Sequence, residues 1–200
     1  KKSTLYPAIP GNYRPISNLQ FISKVLERVV NEQLMLHLRI NDLLPEHQSA
    51  YRSCHSTESA LLKVTSDALL AADQGKLTLL GMLDMSAAFD CVDHIILVRR
   101  LNVSFGIDEN ALKWIVSYIT GRRQYVRYNG RTSEISMVEC GVPQGLVLGP
   151  LYFVLFTADV FGIADEHGFA IHRYADDMQI YDHCVVDDMH HLTSRLVDCI

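Results

Sequence analysis

The stretch Phe169-Ala170-Ile171-His172-Arg173-Tyr174-Ala175-Asp176-Asp177-Met178-Gln179-Ile180-Tyr181 decides the fold of this chain. Its flanks carry the aromatic and branched residues of half-buried strands, so strands are predicted over 169–174 and 178–183. The sequence therefore predicts a β-hairpin with two adjacent carboxylates at its tip. A turn without further role is the alternative, because aspartates in turns hydrogen-bond to local backbone.

A third aspartate, Asp84, ends the apolar run Leu77–Leu83. This run is too continuous for a strand with one wet face, and it predicts a central strand buried on both sides. A carboxylate there is costly to bury without a partner, and a bound cation would be such a partner. The alternative is that Asp84 caps the turn over 86–89.

Two carboxylates from a hairpin tip and one from a distant strand suit a pair of divalent cations. Such cations lie about 3.5–4 Å apart and stabilise both the attacking and the leaving oxygens in phosphoryl displacement. Hard oxygen ligands favour Mg²⁺, with Mn²⁺ as a substitute. The predicted metal ligands are Asp84, Asp176 and Asp177.

A loop rich in glycine and proline, Gly141-Val142-Pro143-Gln144-Gly145, precedes Leu146-Val147-Leu148-Gly149-Pro150. These residues fix a backbone that a ligand can approach closely. Gln144 is predicted to hydrogen-bond an incoming nucleotide or a template strand. A purely structural loop is the alternative.

The order and spacing of these segments resemble the reverse transcriptases of non-LTR (LINE-type, jockey/CR1-like) retrotransposons. The matching segments cover about residues 11–183 and are Tyr13-Arg14-Pro15-Ile16-Ser17, Gln48-Ser49-Ala50-Tyr51-Arg52 with Ser56-Thr57-Glu58, 83–94, Gly141-Val142-Pro143-Gln144-Gly145 with Leu148-Gly149-Pro150-Leu151, and Tyr174-Ala175-Asp176-Asp177. The resemblance implies an RNA-directed DNA polymerase whose substrates are an RNA template, a DNA primer and deoxynucleoside triphosphates.

The resemblance also implies roles for single residues. Asp84, Asp176 and Asp177 correspond to the catalytic carboxylates, and the Met85 carbonyl to a further metal ligand. Phe89 matches the aromatic steric gate under the sugar of the nucleotide. Three residues correspond to nucleotide-binding positions: Arg14 at the triphosphate, Gln144 at the nucleotide, and Arg52 at the template or triphosphate.

The expected fold class is α+β: a polymerase palm with partial fingers, in which helices back an antiparallel sheet that carries the aspartates. Residues 1–75 are assigned to the fingers and 76–200 to the palm, with the thumb absent from this chain. Helical spacing predicts helices through 22–34, 61–71 and 108–121, with the sheet as their common partner, and a buried helix over about 150–160 under that sheet. The remaining polyprotein, with thumb and endonuclease, is expected in the intact element.

Two other functions compete with polymerisation of DNA on an RNA template. Resemblance to viral RNA-dependent RNA polymerases would require an acid at position 89 and a glycine at position 175, where this chain has Phe89 and Ala175. A catalytically inactive or domesticated remnant, acting as a nucleic-acid-binding or interaction module, stays open.

Composition agrees with a folded intracellular domain, in the nucleus or the cytoplasm. The chain is 48% hydrophobic, and its five cysteines include no Cys-x-x-Cys pair, so neither a disulfide framework nor a zinc site is indicated. The net charge of −5 is unhelpful for binding nucleic acid, although four arginines cluster around a predicted hairpin turn at Asn129-Gly130. The most apolar span, residues 145–164, is interrupted by Pro150 and Asp159 and is a poor membrane helix.

Overall fold

The computed structural model describes residues 6, 9, 12–13, 16–85 and 87–200 and shows a mixed α+β fold. In this part of the chain the helices are α1 (Phe21–Ile40), α2 (Thr57–Asp73), α3 (His94–Val103), α4 (Glu109–Ile119), α5 (Leu148–Phe156), α6 (Val160–Glu166) and α7 (Met189–Cys199). The strands are β1 (Leu77–Leu83), β2 (Arg123–Gln124), β3 (Arg127–Tyr128), β4 (Arg131–Thr132), β5 (Ser136–Met137), β6 (Ala170–Tyr174) and β7 (Asp177–Cys184).

A three-stranded antiparallel sheet, with strand order β1-β7-β6, joins β1 from the first half of the chain to the hairpin of β6 and β7 from the second half. β6 and β7 form the predicted hairpin, and Tyr174 pairs with Asp177 across its two-residue turn. β1 pairs with β7 from Leu77 opposite Cys184 to Leu83 opposite Met178. The hairpin and the antiparallel sheet are thus confirmed.

The prediction that Leu77–Leu83 is a central strand buried on both sides is wrong. β1 is an edge strand, and β7 is the central one. Leu79 and Leu83 pack into the core, whereas Leu80 and Met82 point to the other face and are 44% and 75% exposed. Hydrophobicity alone does not distinguish a buried face from an apolar face left uncovered in this structure.

Each face of the sheet meets a different helical layer. On one face a small core joins α6 and α7 to the sheet through Ala164, Phe169, Ile171, Met178, Ile180 and Leu192. On the other face α2 packs against β1 and β6, and the Tyr181 hydroxyl donates to the Asp67 carboxylate at 2.6 Å. Glycine at position 81 permits the close packing on the α6 and α7 face, because a Cβ atom there would lie only 2.9 Å from Cγ2 of Ile180.

The larger core is helical and lies beside the sheet. Its buried residues come mainly from α1, α3, α4 and α5, among them Leu34, Leu38, Leu97, Leu101, Ile115, Ile119, Leu148, Tyr152, Phe153 and Leu155. The sheet is therefore not the common partner of the predicted helices, since α1 packs on α5, and only α2 among the three lies on the sheet. Of the apolar positions from Ile22 to Leu34 that helical spacing marks on α1, Leu34 is buried and Val30 packs against the helical core. The positions nearer the start of the helix, Ile22, Leu26 and Val29, are exposed.

Helix α5 is buried over almost its entire surface, from Leu148 to Leu155. The burial of this helix was predicted, but it packs mainly against α1 and α3 and not under the sheet, as the prediction had it. An apolar helix can be enclosed by other helices as readily as by a sheet, so periodicity does not choose between them. The stretch Leu148–Glu166 is long and apolar enough to cross a membrane, but half of it is buried inside the protein, as in the core helix of a soluble protein.

Candidate active site

The register of the sheet brings Asp84 and Asp177 together. Leu83, the last residue of β1, pairs with Met178, and continuing that register by one residue sets Asp84, just past the end of β1, opposite Asp177. Partners in antiparallel strands share a face, and both residues therefore belong to the α2 side of the sheet. Both side chains are exposed. The structure thus joins two of the three predicted carboxylates at one end of the sheet, although Asp177 lies 93 residues (177 minus 84) after Asp84.

The third carboxylate, Asp176, lies in the hairpin turn. Ala175 has φ of 60°, a conformation that suits glycine better than a residue with a Cβ atom, and it is buried. A positive φ at only the first central residue is the pattern of a type II′ turn. Unfavourable backbone conformations persist where surrounding contacts enforce them, often at functional sites.

Arg173 supplies such contacts from the strand just before the turn. Its guanidinium is fully buried and donates to the carbonyl oxygens of Ala175 at 2.9 Å and Thr157 at 3.0 Å. Its backbone pairs with residues 47–49: the Arg173 amide donates to the His47 carbonyl, and the Ser49 amide donates to the Arg173 carbonyl, both at 3.0 Å. The segment over 48–52, singled out by its sequence, thus borders the hairpin.

The charge of Asp176 acts on the hydroxyl of Tyr51 near the hairpin tip. Burial raises the pKa of the Tyr51 hydroxyl, and the negative charge of Asp176 adds to this rise. In the part of the chain that the structure describes, no group of three or more His, Cys, Asp or Glu side chains converges closely enough to hold a metal ion. Three like charges repel one another at short range, which gives the carboxylates no reason to converge without a cation. Their oxygen atoms and shared position fit hard divalent cations.

The loop after Asp84 carries two further residues of the predicted site. Met85 is half-buried and packs against both cores. Phe89 is also half-buried, and its ring packs against Phe153 with 4.9 Å between ring centroids. α5 therefore supports Phe89, the predicted steric gate, from beneath.

The glycine-rich loop is hydrogen-bonded to the segment that bears Phe89. The Gly141 amide donates to the Val92 carbonyl at 2.7 Å, and the Val142 amide donates to the Phe89 carbonyl at 2.8 Å. A Cβ on Gly141 would lie 3.0 Å from the Asp90 backbone, so glycine is needed for this close approach. Gln144 then reaches Asp90, and its side-chain amide donates to that carboxylate at 3.3 Å.

The remaining predicted nucleotide-binding residues are less informative. Arg14 lies outside the described residues. Arg52 donates to the backbone carbonyls of Pro45 at 3.2 Å and Glu46 at 3.0 Å. These bonds give Arg52 a structural role in this structure, and its contact with template or triphosphate stays a prediction.

The predicted arginine-bearing hairpin is present as the exposed pair β3 and β4. Asn129 and Gly130 form its turn, both with positive φ, as a type I′ turn requires. Arg127 and Arg131 flank that turn on the surface. Contact of these arginines with a nucleic-acid backbone stays a prediction.

Comparison with known proteins identifies the class. The family model described as "Reverse transcriptase (RNA-dependent DNA polymerase)" matches residues 1–194, and the chain belongs to this family. Over 176 residues it is 34% identical to the probable RNA-directed DNA polymerase from transposon BS of Drosophila melanogaster, covering 86% of this chain and 19% of that protein. It is 32% identical to the RNA-directed DNA polymerase from mobile element jockey of Drosophila funebris, covering 90% of this chain and 20% of that protein.

These matches confirm the resemblance to LINE-type reverse transcriptases. The chain spans about a fifth of the length of these curated relatives. Its fold is similar to that of apo telomerase from Candida tropicalis, with a TM-score of 0.60, 16% identity, and coverage of 86% of this chain and 36% of that one. The finer division into palm and fingers stays a prediction.

Sequence reasoning missed two buried charges of the site region, Arg173 and Glu27. Glu27 lies on α1 and is 1% exposed, and its carboxylate accepts from the backbone amides of Val147 at 2.8 Å and Leu148 at 3.3 Å. The signal for Arg173 was an arginine inside an otherwise buried strand, since an arginine is seldom fully buried without partners. For Glu27 the signal was a glutamate among the apolar residues of a helix.

Proposed function

We propose that this chain carries the core of an RNA-directed DNA polymerase that transfers nucleotides from deoxynucleoside triphosphates to a primer 3′-hydroxyl on an RNA template. The observation that supports the proposal is the register of β1 on β7, in which Leu83, the residue before Asp84, pairs with Met178, next to Asp177 and the turn that bears Asp176. Family membership supports it, because the relatives are named RNA-directed DNA polymerases.

Two Mg²⁺ ions, held by Asp84, Asp176, Asp177 and the Met85 carbonyl, would lower the pKa of the primer hydroxyl and stabilise charge on the leaving pyrophosphate. The chain's own contribution is placement. Phosphoryl transfer depends on positioning and electrostatics more than on covalent chemistry by side chains. In this proposal the sheet holds the aspartates in place. The hydrogen bonds from the Gly141 amide to Val92 and from the Val142 amide to Phe89 hold the glycine-rich loop against the segment that bears Phe89.

Phe89 and Gln144 are proposed to contact the incoming nucleotide. The Phe89 ring rests on Phe153 and so resists displacement. A 2′-hydroxyl would clash with a ring held in this way, which favours deoxynucleotides. Gln144 is tied to Asp90, and this bond orients its amide before a ligand arrives.

The test is primer extension on an RNA template by a polypeptide of the relatives' length that contains these residues. Asp84→Asn and Asp176→Asn each replace a carboxylate by a neutral amide of equal size, and each is expected to lower the extension rate by at least about 1,000-fold, by loss of metal charge stabilisation. Asp198→Asn, an exposed change on α7, is the matched control and should retain extension. Near wild-type extension by either site variant would refute the two-metal assignment. A folded wild-type protein that binds nucleic acid without extending primers would favour the inactive-module alternative.

A further inference from the structure

A buried arginine, Arg173, lies between the aspartate hairpin and the carboxyl end of α5. Its guanidinium donates to the Ala175 carbonyl inside the turn at 2.9 Å and to the Thr157 carbonyl, just past α5, at 3.0 Å. The side chain is 0% exposed. A planar fork of donors can bridge two carbonyls at once, which a lysine ammonium does less well.

Aromatic rings enclose the same guanidinium. Its central carbon lies 5.8 Å from the centroid of the Phe153 ring and 5.9 Å from that of Phe161. Phe153 is also the residue on which Phe89 packs. The Arg173 side chain thus contacts both the turn that bears Asp176 and the Phe153 ring that supports Phe89. Movement of Arg173 would therefore displace both.

The charge of Arg173 suits its place. The carboxyl end of a helix carries partial negative charge, which a buried cation offsets. Burial lowers the pKa of Arg173 to about 10, and the carboxylates of Asp159 and Asp176 oppose the fall, so the group stays protonated at neutral pH. A fixed cation behind the turn also reduces repulsion among the aspartates.

We propose that Arg173 is the positioning residue of the aspartate hairpin. It holds the Ala175 carbonyl, and with it the strained turn and Asp176, at a fixed distance from α5. The inference deepens the proposed polymerase function and rests on it for its consequence in catalysis. Its structural claim, that Arg173 immobilises the turn, holds or fails independently of activity.

Arg195 provides a matched control at the other end of the hairpin. It donates to the carbonyls of His167 and Gly168, both at 3.1 Å, and to the Asp182 carboxylate at 2.7 Å. Its guanidinium carbon lies 4.9 Å from the Phe169 ring centroid. Like Arg173, it donates to two carbonyls and lies over an aromatic ring, but it is partly exposed, also pairs with a carboxylate, and does not touch the turn.

The experiment compares Arg173→Lys and Arg195→Lys in the longer polypeptide by amide hydrogen exchange and by single-turnover primer extension. In Arg173→Lys, exchange over residues 174–178 should accelerate by about tenfold or more as the turn opens locally. The rate of nucleotide addition should fall by about 10–100-fold, because a displacement of about 1 Å in the reacting groups costs on the order of 100-fold. The half-saturating nucleotide concentration should change less than the rate. Arg195→Lys should leave both quantities within about twofold, as expected for an independent site.

Unchanged exchange of the turn in Arg173→Lys, or equal acceleration in both variants, would overturn the inference. Arg173→Gln, which is neutral and leaves no unpaired buried charge, is the second variant and should show the same local opening. If both Arg173 variants unfold globally while Arg195→Lys stays folded, Arg173 supports the whole fold and the positioning role is wrong. If the wild-type protein adds no nucleotide, the proposed function fails, and exchange alone still decides whether Arg173 fixes the turn.

Discussion

Replacing Glu27 should destabilise the protein, because this buried carboxylate occupies the amino end of α5. Val147, the residue before the helix, has no polar side-chain atom with which to cap it. Glu27 supplies the cap from α1, and its Oε2 accepts from the amides of Val147 and Leu148. A negative charge there also complements the helix dipole. The pKa of Tyr118 is raised by burial and then by the nearby charge of Glu27.

The size of the effect follows from these contacts. In Glu27→Met, two amide donors lose their acceptor, and each buried unsatisfied group costs about 1–3 kcal/mol. Removing a buried charge recovers part of this, since burying an ion costs several kcal/mol. We expect a net loss of about 2–4 kcal/mol in the free energy of unfolding, a large part of the ~5–15 kcal/mol typical of a folded domain. Glu27→Gln keeps a carbonyl acceptor and should lose only about 1–2 kcal/mol.

The measurement is urea unfolding of the 200-residue chain followed by the fluorescence of Trp114, its single tryptophan, which packs against the helical core. Glu32→Met, at an exposed position of the same helix, is the control and should change stability by no more than about 0.5 kcal/mol. The order of stability should be wild type, then Glu27→Gln, then Glu27→Met. A Glu27→Met variant as stable as the Glu32→Met control would refute the capping role.

Three further outcomes are expected. Phe89→Val should raise incorporation of ribonucleotides relative to deoxynucleotides by about tenfold or more in single-nucleotide assays, since sugar discrimination is assigned to the ring; unchanged discrimination would reject the steric gate. Gly81→Ala should lower the free energy of unfolding by about 1–3 kcal/mol through its contact with Ile180. Gly162→Ala, in a helical position with open space around it, should raise the free energy of unfolding by up to about 1 kcal/mol. If the two glycine variants changed stability equally, the close packing of Gly81 against Ile180 would be contradicted. Burial and then the charge of His47 lower the pKa of His172. Neutral His172 therefore stabilises the fold fully above the ordinary histidine pKa of about 6.5, and this stabilisation is lost as pH falls through the lower pKa of the folded protein. The urea midpoint of the wild type should fall between about pH 7.5 and 5.5, and that of His172→Gln should fall less.

Local signals in the sequence predicted the elements of the site well. Aromatic and branched residues on either side of Tyr174 to Asp177 predicted β6 and β7, and Asn129-Gly130 predicted the β3–β4 turn. Both depend on residues close in sequence, where turn chemistry and strand period act directly. Metal binding by Asp84, Asp176 and Asp177 stays a prediction, while the register of β1 on β7 places the end of the strand before Asp84 next to the aspartate turn.

Contacts between distant segments could not be predicted in the same way. The exposure of Leu80 and Met82 depends on what covers one face of the sheet, which hydrophobicity does not encode. The partners of Arg173 and Glu27 are mostly backbone groups. Every residue has a backbone carbonyl and every residue except proline has an amide N–H, so the sequence does not indicate which of them is the partner. Side-chain identity therefore marks these two residues as unusual without naming what they bind.

Helix α5 connects the two halves of the candidate site. Its nine residues span about 13 Å at 1.5 Å per residue, and its burial makes it a rigid spacer. Glu27 lies at its amino end, next to the loop that carries Gln144, and Arg173 lies at its carboxyl end, next to the turn that carries Asp176. The two charges have the signs that the helix dipole favours at each end. Helix α5 thus links the glycine-rich loop to the aspartate turn, and a buried charge holds each of its ends. Loss of either charge should loosen the segment at that end while the other end keeps its own anchor.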